Sequence, residues 1–211
     1  MQAKYNSIKR KQILRIVVIL AALFMIGSLF LSGLKVESYE DKVLKYREQK
    51  DEHFHKSIQS PIPDKENFHA LSYFEPDSKY KVKASLEFVK DTQLIGMPRN
   101  DGKLAYYEAF AVASFKIDSR LYALTLYRLP HEEGRPMLFL PFYDKTNGST
   151  TYGGGRYLDL DMTNNRTLDI DFNYAYNPFC VYNYQYTCPV PPRSNYLDLE
   201  IKAGEKTYEK K

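Results

Sequence analysis

From Tyr80 onward the sequence alternates: Tyr80, Val82, Ala84, Leu86 and Phe88 are apolar, while Lys81, Lys83, Ser85 and Glu87 between them are polar. A period of two sends successive side chains to opposite faces of an extended chain, so this is a strand with one face buried and one in water. Similar runs follow at Tyr107 to Ile117, Leu121 to Arg128, Met137 to Phe142, Arg156 to Met162, Thr167 to Phe172 and Tyr196 to Lys202. Turn signals such as Asn100-Asp101-Gly102 and Thr146-Asn147-Gly148 separate them. Short strands joined in this way predict a mainly β fold, an antiparallel β-sandwich or barrel-like domain over 61–211.

Upstream the chain changes character. Ile16 to Leu34 carries no charge across 19 residues, and at about 1.5 Å per residue a helix of that length approaches the ~30 Å hydrocarbon core of a bilayer. Its end, Phe30-Leu31-Ser32-Gly33-Leu34, is a poor cleavage site for a signal peptide. The expectation is a single-pass transmembrane signal anchor over 16–34; the cleaved alternative exports the domain equally. Lys4, Lys9, Arg10, Lys11 and Arg15 precede it and Glu37, Glu40 and Asp41 follow it, which places 1–15 as a cytoplasmic basic tail and the domain outside the cell membrane. Those five cations exceed the net charge of +4, so the remainder is slightly acidic and has no electrostatic pull toward nucleic acid. Ser38-Tyr39-Glu40-Asp41 has the form of a capping box, and Tyr39, Val43, Tyr46 or Arg47, Lys50 and Phe54 recur at helical spacing. A short amphipathic helix is expected there, either lying on the domain or acting as a helical stalk over 35–60.

The only cysteines are Cys180 and Cys188. In an oxidising compartment they are candidates for a disulfide, whose short loop would stabilise by about 2.5 kcal/mol; buried thiols and a metal site stay open beside it. No metal or other cofactor is specified by the sequence.

Two stretches concentrate polar groups. In the first, Tyr152-Gly153-Gly154-Gly155-Arg156, three glycines permit close backbone approach and an arginine follows. It lacks the Gly-Lys-Ser/Thr ending of a nucleotide loop and leads into a strand, so a tight turn is the plain alternative to a binding loop. In the second, Asn164-Asn165-Arg166 reads as a hairpin loop, which would set Asp161 opposite Asp169 and Asp159 opposite Asp171. Four carboxylates on one patch require cations nearby, open solvent or a hard metal ion such as calcium. The tyrosines clustered between 174 and 186 line either a β-surface or a groove. The four histidines have no metal-site spacing, and no serine sits in a Gly-x-Ser-x-Gly elbow.

The words Phe142-Tyr143-Asp144-Lys145-Thr146, Thr151-Tyr152-Gly153-Gly154-Gly155-Arg156-Tyr157-Leu158, Asp171-Phe172-Asn173, Ala175-Tyr176-Asn177-Pro178, Cys188-Pro189-Val190-Pro191-Pro192 and Ala203-Gly204-Glu205-Lys206, in that order, resemble the domain-of-unknown-function 1684 family, widespread in bacteria. The resemblance covers about 42–208. It implies a compact β-rich domain, brings no established activity, and marks Asp144, Tyr152, Arg156, Asp171, Asn173 and Asn177 as groups able to fix a polar ligand or to build a buried polar network. Without a nucleophile and base pair in recognisable form, the expected function is a membrane-anchored binding module for a small polar ligand or an envelope partner. The alternatives are a hydrolase using Asp144 or Asp171 as base with Arg156, and a structural envelope protein.

Overall fold

The structure is a computed structural model that describes residues 15–25, 37–91, 94–130 and 137–209. Residues 15–25 are helical. The expected anchor over 16–34 extends beyond them to positions outside the described residues, and among the described residues no helix is long and apolar enough to cross a membrane. The rest, from Tyr39 onward, forms one compact unit.

That unit is mainly β. Six strands run in the order β6-β5-β4-β3-β1-β7, every neighbouring pair antiparallel: β1 (Lys81–Phe88), β3 (Leu104–Ile117), β4 (Arg120–Arg128), β5 (Met137–Asp144), β6 (Arg156–Asp161) and β7 (Thr167–Asp171). Two short strands join the sides: β2 (Leu94–Pro98) pairs with the first half of β3, and β8 (Tyr196–Leu197) lies parallel to the end of β5. The sheet curls as a half-barrel around a core that includes Val82, Leu86, Phe115, Leu126, Leu140, Phe142, Leu158, Ile170 and Phe172. These are the inward positions that the alternation assigns, and in β1 every second residue from Val82 to Leu86 is buried.

β3 and β4 form a tight hairpin closed by Asp118 and Ser119 at φ 49° and 65°. Two left-handed residues match the right-handed twist of the strands they join. The hairpin expected between β6 and β7 does not form. The two strands occupy opposite ends of the strand order, with β6 on β5 and β7 on β1. Asp169 stands opposite Lys83, and Asp171 opposite Lys81. Paired opposite charges across a ladder replace the like-charge pairs of the hairpin reading, which would repel. Leu160 and Ile170 still point to the core, so side-chain facing was legible where strand partners were not.

The last expected strand also changes. Only Tyr196 and Leu197 pair as a strand; from Asp198 the chain runs as an irregular strap in which the carbonyls of Ile201, Ala203 and Glu205 bond to the Arg156 side chain, while those of Leu199 and Gly204 accept from single backbone N–H groups. The helix α1 (Tyr39–Lys56) has the expected stripe, burying Val43, Arg47 and Phe54. It packs on the domain and is no free-standing stalk: Arg47 donates to the Phe74 carbonyl at 2.7 Å, and Phe54 joins Ile62, Phe68, Leu71 and Tyr182 in a second cluster. The strap passes so close to the 172–175 turn that Gly204, at φ +75°, has no room for a side chain: a Cβ would stand 2.6 Å from the Ala175 oxygen and 2.8 Å from that of Phe172. Gly204→Ala is therefore expected to cost more than about 2 kcal/mol in urea unfolding, well beyond the few tenths typical of surface changes.

Candidate functional site

The end of β5 and the start of β6 bring Asp144 and Arg156 together. Both side chains are 0 % exposed, and Nη2 of Arg156 donates to Oδ2 of Asp144 at 2.7 Å. The same Nη2 donates to the Ile201 carbonyl at 2.9 Å, while Nη1 serves the carbonyls of Ala203 and Glu205. Asp144 Oδ1 accepts from the backbone N–H of Thr146 at 2.8 Å, from its hydroxyl, and from the N–H of Ile201. Burial works against the charge on Arg156 and Asp144 works for it. A rigid fork that reaches one carboxylate and three carbonyls can be supplied by arginine and by no other side chain.

The remaining signature residues form two further knots. Asp171 accepts from the Tyr39 hydroxyl at 2.8 and 2.9 Å and from the N–H of Asn173, and Asn173 exchanges bonds with the backbone of Asp77. Burial, then Asp171, pushes the Tyr39 phenol far above its ordinary range. Asn177 donates its N–H to Oε2 of Glu205 at 2.8 Å and its side-chain amide to the Lys206 carbonyl. Glu205 also accepts from the Tyr182 hydroxyl and from Lys50 at 2.6 Å. Asp144, Arg156 and Asn177 thus meet through the strap, Asp171 and Asn173 fasten α1, and these side chains are spent on the protein's own groups.

Tyr152 stands apart. The loop before it is wound on Asn147, whose side-chain oxygen accepts from the Asp144 N–H and whose amide donates to the Tyr152 carbonyl. Gly155, at φ +88°, lets the chain pass 2.7 Å from the Pro191 ring, measured from where a Cβ would lie. Between this turn and the proline-rich segment opens a groove of about 710 Å³, lined by Tyr143, Lys145, Asn147, Pro191, Arg193 and Tyr196. The turn that carries Arg193 and Tyr196 is pinned, because the buried Asn195 between them donates to the carbonyls of Thr125 and Pro141 and accepts from the Thr125 N–H. Lys145 is paired with Asp198 at 2.6 Å. Arg193 is exposed and faces Tyr143, where its charge favours the phenolate against burial.

The groove residues Tyr143, Arg193 and Tyr196, the buried Asn195 beside them, and Glu205 and Tyr39 were not among the site residues expected from the sequence, although Tyr143 and Glu205 lie within the family words, Tyr39 in the capping box and Tyr196 at a strand start. Arg193 follows directly on Cys188-Pro189-Val190-Pro191-Pro192, and that adjacency is the one signal that pointed to it. Among the described residues no three His, Cys, Asp or Glu side chains converge on a metal position. Removing one partner of a fully buried pair leaves an uncompensated charge, so Arg156→Met and Asp144→Ala should each lose roughly 3–5 kcal/mol in chemical denaturation. The double variant should lose clearly less than the sum, the signature of a direct interaction.

Comparison with the curated proteins finds no match. Among solved structures, an uncharacterised protein of Haloarcula marismortui determined by solution NMR is 37% identical, covers 80% of this chain and 94% of its own length, and superposes with a TM-score of 0.64. The family model described as a protein of unknown function, number 1684, matches residues 66–206, a span that holds all the described strands from Lys81 to Leu197 and all six signature residues. The chain belongs to the domain-of-unknown-function 1684 family.

Proposed function

We propose that the domain is a binding module whose groove takes a small polar anion with a flat body. The observation that carries this is the groove itself: Tyr143 and Tyr196 line it, and Arg193 makes no hydrogen bond or ion pair with other described residues. A guanidinium of that kind is suited to a carboxylate or phosphate held by two parallel bonds, and a concave surface with a few convergent polar groups is the usual form of a ligand site. Arg156, the anion partner expected from the sequence, faces inward, and Arg193 takes that role.

Catalysis by Asp144 or Asp171 draws less support. Each carboxylate already accepts several internal bonds, and Asp144 is ion-paired out of solvent. A general base needs a lone pair within hydrogen-bond reach of a substrate proton. The anchor expected over 16–34 places the groove outside the cytoplasmic membrane in this reading, resting on the charge-free run and the cations before it. Membrane fractions washed with alkaline carbonate should retain the chain, and release into the supernatant would remove the anchor from the proposal.

The binding claim is tested by titration calorimetry of the full chain in detergent micelles with inorganic phosphate, citrate and benzoate. The expected outcome is saturable binding of at least one of them, weakened about tenfold or more by Arg193→Ala, in line with the ~1.5–3 kcal/mol of a charge-assisted bond. Absence of saturable heat from all three, or equal affinity in Arg193→Ala, would shift the reading to a structural envelope protein.

A further inference from the structure

Beside Tyr152, and outside the anion groove, the two cysteines meet. Cys188 is held still: its N–H donates to the Asn100 side chain at 2.8 Å, its carbonyl accepts from the Asn100 N–H, and two residues on Val190 donates to the Pro98 carbonyl. Its sulfur accepts from the Cys180 N–H at 3.3 Å and from the Cys180 thiol. Cys180 lies in the one-turn helix α2 (Phe179–Tyr182), is partly open to solvent where Cys188 is buried, and takes a hydrogen bond from the Tyr152 hydroxyl. With the Cys180 N–H on the Cys188 sulfur, the two residues are in direct contact, the juxtaposition a disulfide requires.

We propose that Cys180 and Cys188 form a reversible dithiol site that reduces low-molecular-weight disulfides, with Cys180 making the first attack and Cys188 resolving. The partly exposed Cys180 passes its proton to the Cys188 sulfur as its own sulfur bonds to one sulfur of the small disulfide. The disulfide bond of the reagent breaks, and its first thiolate leaves and takes that proton from Cys188. Cys188, again a thiolate, attacks Cys180; the second thiolate leaves, and the protein retains a Cys180–Cys188 disulfide. Two electrons pass to the reagent, which departs as two thiols once its last thiolate is protonated by water. The surroundings suit this division of labour. The Cys180 thiol, the backbone N–H groups of Cys180 and Phe179 and the Arg99 charge hold Cys188 down to about 7, while Tyr152 and Tyr157 are the other titratable groups beside the pair. The same contact with Cys188 pushes the Cys180 thiol up, so Cys180 attacks first only because it is the one open to solvent and because the Cys188 thiolate beside it takes its proton.

The test uses the full chain with glutathione disulfide as probe, read by mass spectrometry and thiol counting. The wild type should end with both cysteines bridged, no adduct and two glutathiones released, at a rate that rises through about pH 7, and dithiothreitol should reverse it. Cys188→Ser should stop at a stable glutathione adduct on Cys180, its rate shifted toward the ordinary thiol pKa of about 8.5. Cys180→Ser should not react. A lasting adduct on the wild type, thiols inert to the probe, or an adduct on Cys188 formed as fast without Cys180 would overturn the proposal; the wild-type product alone decides it where a variant does not fold.

Discussion

One buried ion pair organises this domain. Asp144 ends β5 and Arg156 begins β6, so their contact closes the mouth of the long loop between them, and the guanidinium then reaches the carbonyls of Ile201, Ala203 and Glu205. Taking a guanidinium and a carboxylate out of water costs several kcal/mol each, which their attraction offsets only when the remaining donors and acceptors are also satisfied. Here the backbone of the strap satisfies both terminal nitrogens of the guanidinium, and only Nε is left buried without a partner. The strap in turn uses Arg156 in place of a neighbouring strand, because its carbonyls would otherwise be buried without partners.

The arrangement sets what the surface can do. Glu205, fixed on the strap, receives Lys50 from α1 and the N–H of Asn177, so helix, strap and the 175–178 turn form one unit. With the polar signature turned inward, the outward chemistry falls to residues seated on that scaffold: the groove beside Gly155 and Pro191, and the thiol pair next to Tyr152. Each draws residues from the segment between α2 and β8, Cys188 for the thiol pair and Pro191 and Arg193 for the groove, and that segment is held by Asn100, Asn195 and the Tyr157 hydroxyl. A rigid scaffold that displays a pinned irregular segment is the usual way loops acquire function.

Much of the fold was legible because burial leaves a periodic trace. The alternation in 80–88 and 107–117 located β1 and β3, and the spacing of Val43, Arg47 and Phe54 found the buried face of α1. Pairing left no such trace. Leu160 and Ile170 point inward whether β6 and β7 form a hairpin or stand at opposite ends of the sheet, so alternation cannot separate the two, and Lys81 and Lys83 as partners of Asp171 and Asp169 had to be seen. The five-residue β2 was missed for its mixed pattern, in which Met97 alone is buried. At the site, the motif residues were found but their direction was not: whether Arg156 serves a ligand or the protein's own carbonyls depends on where a strap some 45 residues later passes. Arg193 and Tyr196 lie beside the motif and owe their role to shape, which spacing does not encode.

The fork of Arg156, more than its charge, holds the strap in place. Amide hydrogen exchange in the full chain, comparing wild type with Arg156→Lys, is the measurement that separates the two. The amides of Ile201, Glu205, Lys206 and Thr207, bonded to Asp144, Ala175, Ser72 and Thr150 respectively, should lose protection by two orders of magnitude or more on replacement by lysine, about 2.7 kcal/mol of local opening, while Ala113 and Leu124 in the β3–β4 ladder keep theirs. Unchanged protection of the strap amides in Arg156→Lys, or an equal loss across strap and ladder, would contradict it.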